Sequence, residues 1–156
     1  MLSDLKSKLS SVTDLKEFCQ KLVWGLAKAL EASQAALYIK VEKNGLKYLQ
    51  FVSGYAYQLP DSKPIEFEFG EGLAGQVAKE GEMINIASVP NGYIQILSGL
   101  GKSTPTSLVI FPLKKSGEVI AVIEIASFKP FLEEDEKLFK SVSEEFAEQL
   151  TVLLKA

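Results

Sequence analysis

Histidine and arginine are both missing from this chain: all 17 of its basic residues are lysines. Without imidazole it lacks the commonest general base and metal ligand, and without guanidinium it lacks the planar fork that clamps phosphates and carboxylates. Most acid–base, metal-dependent and phosphoryl-clamping mechanisms thereby lose their usual residues, and the chain is not expected to be an enzyme. Cysteine is almost absent too. The single residue, Cys19, can close no internal disulfide and supplies no metal cluster, which fits a reducing compartment. No apolar run approaches the ~20 residues of a membrane span. The start, MLSDLKSKLSS, interrupts its leucines with charges and has no apolar core of signal-peptide length. A soluble, cytoplasmic protein is expected. The lysines are spread along the chain against a net charge of -3, so no nucleic-acid partner is expected either.

What remains is the composition of an ordinary globular domain. A hydrophobic share of 47% over 156 residues is enough to bury a core, and the chain reads as one domain over 1–156. Leu5, Leu9 and Val12 recur at helical spacing, forming an N-terminal helical extension over 1–12. The period resumes after a cap at Thr13 with Leu15, Phe18, Cys19, Leu22, Leu26 and Leu30, so a helix is predicted to about Ala32, broken near Ser10 to Thr13. In QAALYIKVEK the residues Ala36, Tyr38, Lys40 and Glu42 alternate against Ala35, Leu37, Ile39 and Val41, the period of a strand. Asn44-Gly45 supplies the positive backbone angles of a two-residue hairpin, and LKYLQFVSGY returns as the second strand.

A proline-bearing loop leads to a third strand at Ile65 to Phe69. Gly70 to Gly72 then open a helix that runs through Lys79 and ends at Gly81. MINIA is a short strand, and a loop from Val89 to Gly101 can hold a brief helix around Tyr93. Strands at Thr106 to Lys114 and Glu118 to Ser127 are joined by a hairpin at Ser116-Gly117. A helix fills 132–156, with Glu133, Glu134, Asp135 and Glu136 at its positive end. Strands arriving in antiparallel pairs predict an α+β architecture: a five- to six-stranded antiparallel sheet with helices on both faces.

One order of pieces carries more than the pattern does. FGEGLAGQ, then Val89-Pro90, Tyr93, SGLG at 98–101, Pro105, Pro112-Leu113, GEVI at 117–120 and EIASF at 124–128 follow one another as in a GAF domain, and the chain resembles those of bacterial sensor proteins, hybrid histidine kinases among them, from Thr13 onward. The resemblance implies a GAF-like (profilin-like) sheet with the terminal helices on one face and a small-molecule cavity on the other. It implies a regulatory rather than catalytic module, passing a signal through its terminal helices to an effector such as a histidine kinase. GAF-type free methionine sulfoxide reductases use cysteines around the cavity, bilin-binding forms need a cysteine there and haem-binding forms an axial ligand. None of these sets is present, and no cofactor is expected. The NKFDE-type signature of cyclic-nucleotide binders is not evident.

Glu124 is the residue with the most chemistry. It interrupts the apolar strand VIAVIEIAS in phase with Ile120, Val122 and Ala126, where a carboxylate requires a partner: a ligand, a lysine, or an amide of the 89–101 loop. The resemblance turns this face, with Leu108 and Ile110, toward the cavity. Phe51, Tyr55, Tyr57 and Tyr93 are candidate walls, as ligand-stacking rings or as plain core. Ser98, Ser103 and Thr104 can offer donors to an anion or form an ordinary loop. Gly70, Gly72 and Gly75 match G-x-G-x-x-G. No acidic residue sits about 20 residues on and the flanking strands read as antiparallel, so a tight turn with close helix packing is favoured over a dinucleotide site. The apolar stripe Phe139, Val142, Phe146, Leu150 and Leu153 covers the sheet, and its surplus, with the first helix, can pair with a second copy as a homodimer. The expected function is a small-molecule sensor of unidentified ligand. The alternative is a dimerisation or interaction module whose cavity is filled by its own side chains.

Overall fold

A computed structural model describes residues 1–56, 66–87, 96–98, 101–103 and 107–155. The elements in order are α1 (Leu2–Leu9), α2 (Leu15–Ala29), β1 (Gln34–Lys43), β2 (Leu46–Tyr55), β3 (Glu66–Glu68), α3 (Gly72–Glu80), β4 (Ile84–Ile86), β5 (Ile96–Ser98), β6 (Gly101–Ser103), β7 (Ser107–Lys115), β8 (Glu118–Ser127) and α4 (Glu133–Lys155). Six strands form one sheet in the order β3-β2-β1-β8-β7-β4, every pairing antiparallel. This is the expected α+β sheet. The pair β5-β6 forms a separate ribbon within the stretch expected to be loop. Tyr93 and its expected helix lie outside the described residues.

Both hairpins close as their sequences dictate. Asn44 and Gly45 take φ of 52° and 78°, and Ser116 and Gly117 take 54° and 81°, the paired positive angles that fit a two-residue turn to the twist of its strands. The cap of α2 falls one residue later than Thr13. Asp14 holds extended backbone and its carboxylate accepts a hydrogen bond from the Glu17 amide at 3.0 Å, satisfying an open donor at the positive helix end. The helix stops at Ala29 rather than near Ala32, because Glu31 turns to φ 53°.

The sheet separates two apolar layers. On one face α1, α2 and α4 bury Leu5, Leu9, Phe18, Leu22, Val23, Leu26, Phe139, Val142, Phe146 and Leu150 against Leu37, Val109, Phe111, Ile123 and Ile125. Phe139 stacks on Phe111 with ring centres 4.6 Å apart, and Phe18 meets Phe146 edge-on at 6.1 Å. The terminal helices therefore share a face. On the other, Ala74, Val77 and Ala78 of α3 join a layer with Ala36, Tyr38, Leu49, Leu108, Ile110, Val119, Val122 and Ala126.

Simple alternation in β8 fails at one point. Leu113 pairs with Ala121 but Lys114 pairs with Val119, so Ile120 is an extra residue in the ladder. The bulge turns Ile120 into the helix-side layer and Val119 toward α3. Ile120 therefore does not share the face of Val122, Glu124 and Ala126, contrary to the sequence expectation.

Candidate functional site

Register fixes the surroundings of Glu124. On β8 it lies directly opposite Ala36 of β1 and Ile110 of β7, so its side chain leaves the sheet on the α3 side between two fully buried apolar neighbours. Leu108 pairs with Ala126 and Tyr38 with Val122, and all four belong to the apolar layer of that face. Glu124 itself is only 3% exposed. A carboxylate at this depth is an acceptor in a place of low polarity, where a hydrogen-bonded or ionic contact counts for more than at the surface.

Of the sequence-predicted wall residues, Phe51, Leu108 and Ile110 are on this face. Phe51 pairs with Tyr38 across the β1–β2 ladder and meets its ring edge-on at 5.9 Å, while Phe67 meets the same ring at 5.4 Å. Tyr55 is placed elsewhere. A register shift after Leu37 admits Val52 as an extra residue, and Tyr55, opposite Ala35, joins the helix-side layer. There it meets Trp24 edge-on at 5.3 Å, and the Trp24 indole N–H donates to the Gly54 carbonyl at 2.9 Å. Tyr57, Tyr93 and Thr104 lie outside the described residues, and Ser98 and Ser103 fall in the β5-β6 ribbon.

Sequence reading missed Gln34. The first residue of β1, it pairs with Ala126, which puts it in phase with Ala36 and Tyr38 on the Glu124 face, and it is 5% exposed. Its Oε1 is buried with no hydrogen-bond partner among the described residues. The period of QAALYIK already aligned Gln34 with Ala36. Only a polar residue at a strand's first position reads as a surface cap.

The glycines of FGEGLAGQ have a backbone explanation. Gly70 and Gly72 take φ of 97° and 67°, and a Cβ on Gly75 would come within 2.8 Å of the Glu68 carbonyl. The Gly70 amide donates to the Gly75 carbonyl at 2.8 Å, closing the turn on itself. Cys19 lies in the helix-side layer, away from Glu124, and burial with the nearby Asp14 charge pushes its thiol up to about 12. Glu124 does not line either of two clefts formed by described residues. One of about 340 Å³ runs between Met83, Pro112 and Lys140, and one of about 560 Å³ lies at the two hairpin turns beside Lys79. No helix among the described residues is long and apolar enough to cross a membrane.

A curled antiparallel sheet with its terminal helices on one face, and a short glycine-opened helix with a buried carboxylate on the other, defines a class of small α+β domains. A family model for the GAF domain matches residues 14–150, and the chain belongs to that family. Similar solved structures include the GAF domain of phosphoenolpyruvate-protein phosphotransferase from Acinetobacter, 17% identical with a TM-score of 0.79 over 99% of this chain and 93% of that one. The corresponding domain from Coxiella burnetii is 21% identical, with a TM-score of 0.78 over 96% and 90%. Free methionine-R-sulfoxide reductase from Neisseria meningitidis, solved with its substrate, is 18% identical, with a TM-score of 0.74 over 99% and 88%. At these identities the likeness is one of fold. A comparison with curated protein sequences finds no match.

Proposed function

We propose that this chain is a sensory or regulatory GAF domain that holds a small molecule on the Glu124 face and relays its occupancy to the terminal helices. The observation that carries the reading is the burial of Glu124, a carboxylate in the middle of a sheet between Ala36 and Ile110, on the face opposite the helix layer. A buried carboxylate is costly and apolar residues pack more cheaply, so a side chain of this kind at this place points to recognition. Phe51, Leu108 and Ile110 form the apolar walls.

The relay is built into β8. Glu124 faces the site, while its chain neighbours Ile123 and Ile125 are buried in the layer of α2 and α4. A ligand that favours one setting of this strand selects the helix packing compatible with it, which is a population shift between two arrangements of one fold. The terminal helices would pass that change to a second copy or to an effector such as a histidine kinase. The whole chain acts as one domain with α1 as a helical extension, in a cytoplasmic setting.

A catalytic role is not part of the proposal, because the only cysteine is buried on the far side of the sheet with its thiol held protonated. One observation favours the alternative of a self-filled interaction module: Tyr38, Phe51 and Phe67 cluster on the same face and occupy part of it. Native mass spectrometry of the purified chain, repeated after denaturation, separates the two. A released small molecule is expected; a ligand-free dimer that no metabolite stabilises would favour the interaction module.

A further inference from the structure

The strand β4 ends the sheet order and shows different chemistry to the two layers. It pairs Ile84 with Ile110, Asn85 with Val109 and Ile86 with Leu108. Ile110 and Leu108 belong to the layer of the Glu124 face and Val109 to the helix layer, so Ile84 packs on the first side and Asn85 emerges on the second. There the Asn85 Nδ2 donates to the Phe131 carbonyl at 3.3 Å and to Oε2 of Glu136 at 2.8 Å. Both partners accept, so the NH2 end of the carboxamide must face them, one hydrogen to each. These acceptors bracket the start of α4. Phe131 precedes the helix and meets Phe139 edge-on at 6.0 Å, while Glu136 ends the acidic run that opens it. Between them the amides of Asp135 and Glu136 close the first turn on the Leu132 carbonyl.

We infer that Asn85 is a latch that couples the setting of β4 to the start of α4, so that a change on the Glu124 side of this edge strand tightens or frays the first turn of the C-terminal helix. The inference deepens the proposed relay and rests on that reading for its use, while the coupling itself operates without a ligand. Among the described residues no other donor meets the Glu136 carboxylate. Both bonds lie at the surface, where water competes for the donor and the acceptors, so they open at low cost. They also open together, since a rotamer change that takes Asn85 from Glu136 takes it from Phe131. A helix end held by one side chain near its opening point belongs to the low-stability part of a fold, from which switching elements are drawn.

The perturbation is Ile84→Val, which trims one carbon on the side of β4 away from α4. In the isotopically labelled full chain it is expected to shift the amide resonances of Asp135, Glu136 and Lys137, and in an Asn85→Ala background those shifts should be lost. Asn85→Ala alone should speed hydrogen exchange of the Glu136 and Lys137 amides about fivefold to tenfold, the scale of one charge-assisted hydrogen bond weakened by exposure. Glu136→Ala should speed it equally and the double variant no further, since both changes break the same tie. Glu136→Gln keeps an acceptor oxygen and should retain transmission. Should Asn85→Ala fail to fold, Asn85→Val, a strand former without a side-chain donor, carries the same test. Transmission that survives Asn85→Ala, exchange that Asn85→Ala leaves unchanged, or additive effects of Asn85→Ala and Glu136→Ala overturn the latch. A small molecule released from the purified protein would leave ligand binding standing even then. A latch that transmits in a protein releasing no molecule supports the coupling and removes the ligand reading.

Discussion

Gly75→Ala puts the glycine turn to a quantitative test. Alanine in a helix interior is favoured over glycine by about 1 kcal/mol, so in an open position this change would stabilise α3. Here the new Cβ would sit 2.8 Å from the Glu68 carbonyl oxygen, 3.1 Å from the Gly70 nitrogen and 3.2 Å from its carbonyl carbon, all backbone atoms with no rotamer to yield. Relief requires α3 to back away from the turn, which costs about 1–3 kcal/mol as overpacking and stretches the Gly70 amide bond to the Gly75 carbonyl, itself worth about 1 kcal/mol. The net expectation is a loss of about 2 kcal/mol, or about 4–8 °C in a chain of this size. Gly45→Ala is the control: its Cβ meets nothing within 4 Å, so only the positive φ of 78° resists it, and the loss should be about 1 kcal/mol. Urea and thermal unfolding of both variants measure the difference. A Gly75→Ala protein as stable as the wild type would refute the close-approach explanation and reopen a ligand-cradling role for these glycines.

Three further outcomes are expected. Phe139→Ala removes the ring stacked at 4.6 Å on Phe111 in the helix layer and should cost about 3–5 kcal/mol by denaturant unfolding; a loss under about 1 kcal/mol would mean that α4 is not anchored there. The Cys19 thiol, raised to about 12 in the folded chain, keeps its proton where an unfolded thiol has lost it. Stability should therefore fall as pH rises from about 9 toward 12, and Cys19→Ala should flatten that fall; identical slopes in both proteins would contradict the buried placement. Hydrogen bonding and charge from Lys40 hold the Glu118 carboxyl below its ordinary value. Its contribution is present at neutral pH and is lost as pH falls below about 4.5, and because the carboxylate is exposed the shift seen by NMR titration should shrink in high salt; a salt-independent titration would argue against the ion pair.

The sheet was legible because its signals are local. Asn44-Gly45 and Ser116-Gly117 dictate their turns through backbone sterics, and the alternation of Ala36 and Tyr38 against Ala35 and Leu37 sorts two faces without tertiary information. Two extra residues escaped it. Val52 follows Phe51 and Ile120 follows Val119, each an apolar residue beside another, and such a pair does not mark the bulge that reverses phase. Tyr55 was consequently expected beside Glu124 and is placed instead against Trp24. Glu124 was conspicuous as a carboxylate in an apolar strand. Gln34 was not, since its burial depends on β8 alongside and on the face it shares with Ala126, both long-range facts.

The ligand is proposed to sit on the face of Glu124 and not in the helix layer. Cross-relaxation between the molecule released from the purified protein, added back, and the methyl groups of the labelled chain tests it directly. Contacts are predicted to Ala36, Leu108, Ile110 and Ala126, which line that face. Contacts to Val109, Ile123 or Val142 of the opposite layer, or a protein that releases no molecule at all, would contradict the account.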